Sequence, residues 1–228
     1  MSAFAVAVDG PAGSGKSSVC RGVASELGMK YLDTGAMYRA MTWAMLDADI
    51  DVEDAESIAA AAQSVQLTSG TDPHKPTISV NGQDVSEPIR SADVTGAVSA
   101  VSAVPAVRQL LVELQRDEVS HAGASGIVVE GRDIGTVVLP DAPVKIFLTA
   151  DPAVRALRRA KEDSERTQVH VSVADTEAAL IARDEKDSTR ASSPLAQAHD
   201  AIVVDTSDYS LQQVIAEVVS KIKAARGA

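Results

Sequence analysis

Residues 10–17 read Gly-Pro-Ala-Gly-Ser-Gly-Lys-Ser. This stretch matches the phosphate-loop pattern, in which Gly, any four residues and a second Gly precede Lys and then Ser or Thr. The run 4–8 before it is short and apolar, as in a buried parallel strand, and Val19, Val23 and Leu27 after it share one helix face. Strand, glycine-rich turn and helix form the setting in which backbone N–H groups bind phosphates. The stretch therefore predicts a site for a nucleoside triphosphate.

The loop also predicts which atoms contact ATP. Lys16 can reach the β- and γ-phosphates, and the Ser17 hydroxyl can ligate Mg²⁺. The predicted ATP-binding residues are Gly10, Pro11, Ala12, Gly13, Ser14, Gly15, Lys16, Ser17 and Ser18. The loop does not indicate what happens to the phosphate.

Length, charge and cysteine content exclude several classes of protein. The 228 residues suit one domain, or one domain with a small insertion. A net charge of -11 disfavours nucleic acid and anionic membranes as partners. No apolar run is long enough to span a bilayer, and no signal peptide is visible. A single cysteine, Cys20, cannot form an internal disulfide, so we expect a protein of the reducing cytoplasm.

Four further apolar runs are predicted to be strands, and they alternate with segments of helical spacing. The strands are expected at 29–33, 127–130, 144–148 and 201–205. The helices are expected at 18–27, 36–47 and 57–63, from Pro88 to about 98, at 105–120, from 152, and at 210–225. This alternation predicts an α/β fold of the phosphate-loop type, with a five-stranded parallel sheet flanked by helices.

The segment between residues 65 and 90 has a different pattern. Its apolar residues alternate at 65–67 and 77–80, and Asn81-Gly82 followed by Val85 is a strong hairpin signal. We therefore predict a small antiparallel unit inserted into the alternating chain.

Polar residues gather just beyond the ends of the predicted strands, where ligands bind in such sheets. Arg132 follows one strand, and Arg155, Arg158, Arg159 and Arg166 follow another. One bound nucleotide does not need so many arginines, whereas a second anionic substrate, or the charge on a transferring phosphoryl group, does. The alternative for each arginine is a surface ion pair.

Longer segments carry a resemblance to a known family. They are 32–39 (Leu-Asp-Thr-Gly-Ala-Met-Tyr-Arg), 85–90 (Val-Ser-Glu-Pro-Ile-Arg), 130–138 (Glu-Gly-Arg-Asp-Ile-Gly-Thr-Val-Val) and 141–148 (Asp-Ala-Pro-Val-Lys-Ile-Phe-Leu), with Arg183, Asp187, Arg190 and Pro194 after them. In these segments and in their order, the chain resembles the bacterial cytidylate kinases of the nucleoside monophosphate kinase group. The similarity runs along nearly the whole chain.

The resemblance implies a core at 1–64 and 101–228, a monophosphate-binding insertion at 65–100 and a mobile lid at about 152–170. It places near the cytosine ring Thr34, Ser99, Arg108 and Asp133. It assigns Asp187 to the ribose, and to the acceptor phosphate Tyr38, Arg39, Arg132 and Arg190. It places on the lid or donor side, closing on ATP, Arg155, Arg158 and Arg183. The residues expected to be catalytic are Lys16, Arg132, Arg155, Arg158 and Arg183.

The implied activity is transfer of a phosphoryl group from ATP to CMP or dCMP, with Mg²⁺ and without a covalent intermediate. The resemblance also implies a monomer. Glu130 stands where the family often has Asp, and no unmistakable Walker-B acid is evident. We therefore expect Mg²⁺ on Ser17, phosphate oxygens and water, with Asp33 or Glu130 in its outer shell.

Other interpretations stay open at this point. One is a kinase of another small acceptor, such as UMP, AMP or shikimate. Another is a nucleotide-dependent switch, although a GTPase would need an Asn-Lys-x-Asp segment that the chain lacks. A third is a catalytically silent nucleotide sensor, against which the intact Lys16 and the arginines argue.

Overall fold

The computed structural model describes residues 3–190 and 192–227. In chain order the elements are β1 (Ala5–Asp9), α1 (Lys16–Leu27), β2 (Lys30–Asp33), α2 (Thr34–Asp47), α3 (Ala55–Ala62), β3 (Leu67–Ser69), β4 (Ile78–Val80), β5 (Gln83–Asp84), α4 (Ala92–Ala103), α5 (Pro105–Ser120), β6 (Ile127–Glu130), β7 (Val144–Thr149), α6 (Pro152–Thr167), α7 (Val173–Thr189), β8 (Ile202–Asp205) and α8 (Leu211–Gly227). Short 3-10 turns lie at Pro88–Arg90 and Gly123–Ser125, and a π-helical turn lies at Ile134–Val138.

Five parallel strands form the main sheet in the order β2-β6-β1-β7-β8. Val6 of the central strand pairs with Val128 on one side and Val144 on the other. Helices cover both faces, which explains why β1 and β6 are apolar along most of their length and wholly buried. One face packs against α1 and α8 around Val23 and Val218, and the other packs against α2 and α5. The predicted parallel sheet is confirmed.

A second sheet, of order β3-β4-β5, is antiparallel. Asn81 and Gly82 form its tight turn with φ of 51° and 83°, the left-handed values that a two-residue hairpin requires. The predicted hairpin is therefore confirmed. Its return strand ends at Asp84, so Val85 follows the strand and is fully buried against the core.

Several helices differ from the sequence prediction. Helix α1 begins at Lys16 rather than at residue 18, and the helix expected from Pro88 is a 3-10 turn at Pro88–Arg90 followed by α4. Helix α2 begins at Thr34 rather than at residue 36, because the Asp33 carboxylate caps it and accepts from the Ala36 N–H at 2.8 Å. Helix α7 was not predicted at all. It buries only Leu180 and Asp187, so it lacks the apolar stripe by which an amphipathic helix is identified in a sequence.

Within residues 3–190 and 192–227, no single helix is long and apolar enough to cross a membrane. Helices α4 and α5 meet that standard of length and composition only as a pair, which is bent by 95°.

Candidate active site

A cleft of about 600 Å³ opens at the carboxyl ends of the central strands. The loop after β1 forms its floor, and α2, α4, α6 and α7 contribute side chains to its walls. The carboxyl edge of a parallel sheet, where neighbouring connections diverge, is where such folds bind ligands. The cleft therefore lies where the sequence predicts the ligand-binding site.

The loop at the floor depends on glycine. Gly10 has a φ of 148°, and a Cβ atom there would lie 2.0 Å from the Leu148 carbonyl oxygen, so only Gly fits against β7. Gly13 and Gly15 also have positive φ, at 75° and 85°. Residues 12–18 line the cleft, whereas Gly10 and Pro11 lie outside its lining. The backbone thus supplies the shape of an anion site before any side chain is added.

Lys16 is held within this loop. Its Nζ donates to the Pro11 carbonyl oxygen at 2.6 Å, and the residue is 7% exposed. Burial, with the positive charge of Arg132, lowers the pKa of Lys16 to about 7. An anion bound in the loop would favour the charged ammonium and raise that pKa again.

A carboxylate lies beside the loop. Ser17 Oγ donates to Glu130 Oε1 at 2.7 Å, while Glu130 Oε2 is buried without a hydrogen-bond partner. Burial and the nearby charge of Asp33 raise the pKa of Glu130 to about 7. A hydroxyl and an unsatisfied carboxylate oxygen are ligands that Mg²⁺ accepts, so these residues fit a magnesium ion. The described residues contain no group of three or more His, Cys, Asp or Glu side chains that could hold a metal ion without other ligands.

Positive charge is concentrated in the cleft although the chain as a whole is acidic. In the described part of the chain, eleven Lys and Arg side chains line the cleft, against five Asp and Glu. Arg183 shows this crowding of positive charge. Burial, with the charge of Arg132, lowers its pKa to about 10, and its Nε has no hydrogen-bond partner. Excess cationic charge at reduced solvation favours the binding of polyanions.

Ion pairs hold the arginines on the wall opposite the loop. Arg132 Nε donates to Asp187 Oδ2 at 3.1 Å, and Arg190 Nη1 lies 3.9 Å from Asp187 Oδ1. Arg39 donates to Asp33 at 3.1 Å. These pairs orient the guanidinium groups while leaving other N–H donors for a phosphate, which Arg binds through its fork.

A buried pair closes the far end of the cleft. The Arg108 guanidinium, 3% exposed, donates to Asp133, and its Nη1 also donates to the Ser102 carbonyl oxygen at 3.2 Å. The same guanidinium lies 5.2 Å from the centroid of the Tyr38 ring. Burying such a pair is costly unless the groups gain further partners, and a bound heterocycle with donors and acceptors can supply them.

Most of the predicted residues are brought together in this one cleft. They are Thr34, Tyr38, Arg39, Ser99, Arg108, Arg132, Asp133, Arg158, Arg183, Asp187 and Arg190, with residues 12–18 of the loop. Arg159 and Arg166 also reach the cleft, but both pair with Asp163 on their own helix, at 2.8 and 3.0 Å.

Arg155 differs from the expectation, because it lies behind the loop instead of in the cleft. Its buried guanidinium donates to the Ala12 carbonyl oxygen at 2.9 Å and pairs with Asp184, whose other oxygen accepts from the Ala12 N–H at 3.2 Å. The neighbouring Ala156 packs with Leu180 against Ala12. The geometry therefore supports an indirect role for Arg155, through the loop.

Sequence reasoning missed several residues that line the cleft, among them Thr206, Tyr209 and Leu211. Thr206 directly follows β8 and accepts from Arg158 at 2.9 Å, so its strand-end position was a usable signal. Tyr209 and Leu211 are 49% and 41% exposed and belong to no motif, so no sequence pattern indicated them.

A glycine-rich loop after the first strand of a parallel sheet, facing a wall of arginines, defines a nucleotide-binding protein of the phosphate-loop class. A family model described as cytidylate kinase matches residues 6–224. The chain belongs to the cytidylate kinase family, as its resemblance predicted.

Individual relatives agree with this assignment. The chain is 55% identical over 226 residues to a protein named cytidylate kinase from Streptomyces avermitilis, which covers 99% of this chain and 95% of that protein. A cytidylate kinase from Mycobacterium leprae is 52% identical over 231 residues, covering 100% and 99%. Among solved structures, TT1252 from Thermus thermophilus superposes with a TM-score of 0.51 at 16% identity, covering 98% of both chains. An uncharacterized protein from Eubacterium ventriosum gives 0.52 at 11% identity, covering 96% of this chain and 98% of that one. These two structures support the fold alone.

Proposed function

We propose that this chain transfers the γ-phosphoryl group of ATP to CMP and dCMP, giving ADP with CDP or dCDP. The observation that carries the proposal is that the phosphate loop and the Arg108–Asp133 pair open into one arginine-lined cleft. One end accepts a triphosphate and the other end offers hydrogen bonds to a base, so two nucleotides can meet phosphate to phosphate. Family membership specifies cytosine as the base.

The donor nucleotide would occupy the loop end. The loop 10–18 would surround its phosphates, with the backbone N–H groups of residues 13–18 as donors, and Lys16 would exchange the Pro11 carbonyl for phosphate oxygens. Arg158 and Arg183, which both line the cleft, would close on the same phosphates from the lid side. Arg155 would act through Ala12, as a residue that positions the loop.

The acceptor nucleotide would occupy the opposite end. Its phosphate is bound by Tyr38, Arg39, Arg132 and Arg190, and its ribose by Asp187. Its ring contacts Thr34, Ser99, Arg108 and Asp133. Cytosine presents an amino donor and two ring acceptors, which match a carboxylate and an arginine with a hydroxyl. Bidentate arginine binding holds the acceptor oxygen in line with the γ-phosphorus, and this alignment supplies most of the catalysis for such a transfer.

Magnesium would be held by Ser17, with Glu130 and Asp33 beside it and phosphate oxygens and water completing its shell. When bound, the ion neutralises charge on the phosphates. Ser17 and Glu130 already contact one another, and the unpartnered Glu130 Oε2 is a further oxygen for the metal or for its water.

The mobile parts would be the insertion at 65–100 and the lid at about 152–170, moving on a core of 1–64 and 101–228. Helix α6 of the lid packs along α7, so we expect the two helices to move as a pair. Closure would exclude water, which would otherwise hydrolyse ATP. A monomer in the cytoplasm completes the proposal.

An assay of ADP formation with ATP, Mg²⁺ and one acceptor at a time tests the function. We expect turnover with CMP and dCMP, and much slower turnover with UMP, AMP and shikimate. Equal activity on AMP would refute the assignment of the acceptor. Rapid ATP hydrolysis without any acceptor would favour the switch instead.

A further inference from the structure

Asp9 ends β1 and directly precedes the phosphate loop, yet its side chain holds a different segment. The residue is 4% exposed. Its Oδ1 accepts from the Ile134 N–H at 2.8 Å, and its Oδ2 accepts from the Gly135 N–H at 2.7 Å. Both bonds join residues that are about 125 positions apart in the sequence, so no local pattern predicts them.

These two N–H groups begin the π-helical turn Ile134–Val138 and so have no partner within it. A buried N–H group without a partner costs free energy, and the Asp9 carboxylate removes that cost for two groups at once. Just before this turn, the Gly131 N–H donates to the Val8 carbonyl oxygen at 3.0 Å. The end of β1 therefore attaches to the segment on both sides of Arg132 and Asp133.

Those two bracketed residues face the acceptor end of the cleft. Arg132 pairs with Asp187, and Asp133 pairs with Arg108. Each pair joins this segment to a separate helix, α7 or α5, so its geometry depends on where the segment is held.

We propose that Asp9 is a positioning residue for the acceptor nucleotide: from the strand that carries the ATP loop, it holds Arg132 and Asp133 in place. This inference rests on the proposed function. It assigns to a residue next to Gly10 an effect on the distant substrate rather than on the adjacent one.

Two acceptor oxygens are what this position requires. Asn would have the same size but only one acceptor oxygen, and its NH₂ group would face a backbone N–H. Apart from these bonds, the surroundings mostly disfavour an ionised carboxylate. Burial and the like charge of Asp133 oppose its ionisation, and the positive charge of Lys16 offsets them in part. The role of the carboxylate at this position is therefore to accept the two backbone hydrogen bonds.

The test is Asp9→Asn, with KM measured separately for CMP and for ATP. Loss of one charge-assisted hydrogen bond predicts a rise of about tenfold in the KM for CMP. We expect the KM for ATP to change by less than about twofold, because the loop keeps its glycines and Lys16. Asp54→Asn is the matched control: Asp54 also accepts from two backbone N–H groups, of Glu56 and Ser57, but on an exposed turn. This control is expected to leave both KM values unchanged.

A second variant approaches the contact from the other side and serves if Asp9→Asn does not fold. A Cβ atom at Gly135 would lie 3.2 Å from Lys145 Cδ and 3.4 Å from Asp9 Oδ2, at a φ that alanine tolerates. Gly135→Ala is therefore expected to raise the KM for CMP selectively, by about threefold. Equal changes in both KM values, or an unchanged KM for CMP in both variants, would overturn the inference. Wild-type protein that does not phosphorylate CMP would instead refute the proposed function.

Discussion

The two ends of the cleft are built in different ways. The loop end consists of consecutive residues whose backbone N–H groups and glycines form the site, and its shape follows from φ values at Gly10, Gly13 and Gly15. The opposite end is assembled from side chains of α2, α4, α5, α7 and the turn after β6, held by ion pairs. A site formed by consecutive backbone groups is rigid, so substitutions elsewhere in the chain disturb it little. A site made of paired side chains depends on the positions of several helices and strands at once.

The largest effect is expected at the loop end. Lys16→Ala removes the cation that reaches the transferring phosphoryl group, and we expect kcat to fall about 10³-fold while the fold persists. The fall would be the same with CMP and dCMP, since the lysine acts on the donor. Steady-state kinetics measure kcat with each acceptor, and circular dichroism checks that the variant is folded. Lys221→Ala, on α8 outside the lining of the cleft, is the control and is expected to retain full activity. Unchanged turnover in Lys16→Ala would contradict the role.

The second prediction concerns the buried ion pair of Arg108 and Asp133 at the acceptor end, in which each charge depends on the other. Asp133→Ala leaves the Arg108 charge buried and unpaired, and we expect it to lower the free energy of unfolding by about 3 kcal/mol. The double variant Arg108→Met with Asp133→Leu removes both charges, so it is expected to recover most of that stability without recovering CMP binding. Urea unfolding with a CMP titration measures the two quantities. A double variant less stable than Asp133→Ala would show that the pair itself stabilises the fold.

Asp9 links the two ends of the cleft, and its pKa predicts how the stability of the protein changes with pH. Burial, against the two backbone hydrogen bonds, raises its pKa from 3.8 to about 6, with Asp133 raising it further and Lys16 lowering it. The folded state thus binds a proton more tightly than the unfolded state, so this group's contribution to stability falls as pH rises between these values. Relative to Asp9→Asn, the wild-type protein is expected to lose about 2 kcal/mol between pH 4 and pH 6.

Unfolding curves for both proteins at each pH measure that difference. A constant difference across the window would mean that the carboxyl of Asp9 is not held at a raised pKa.

The smallest effect is expected behind the loop. Arg155 Nη1 contacts both the Ala12 carbonyl oxygen and Asp184, and the shorter side chain of Lys does not carry its ammonium to that position. We therefore expect Arg155→Lys to raise the KM for ATP about fivefold. The KM for CMP is expected to stay constant, which mirrors the result expected for Asp9→Asn. Initial-rate kinetics with each substrate varied in turn decide the matter, and a selective effect on CMP would contradict the separation of the two ends.

Some features could be predicted because short-range patterns encode them. The strand, loop and helix at 4–27 form a local motif, and the apolar runs of β6 and β7 indicate buried strands without further information. The Asn81-Gly82 turn likewise requires only that two residues accept positive φ. Helix α7 escaped prediction because most of its residues face solvent or the cleft, so its sequence carries no apolar period.

The amino-acid order by itself determined the anion-binding loop, the parallel sheet and the family, since each depends on residues that are adjacent or regularly spaced. Only the tertiary structure decided that Arg155 supports the loop from behind and that Asp9 holds the segment carrying Arg132. The physical reason is that the direction of a buried polar side chain is set by the partner that satisfies it. The Ile134 N–H that Asp9 binds and the Ala12 carbonyl that Arg155 binds lie more than a hundred residues away in the chain.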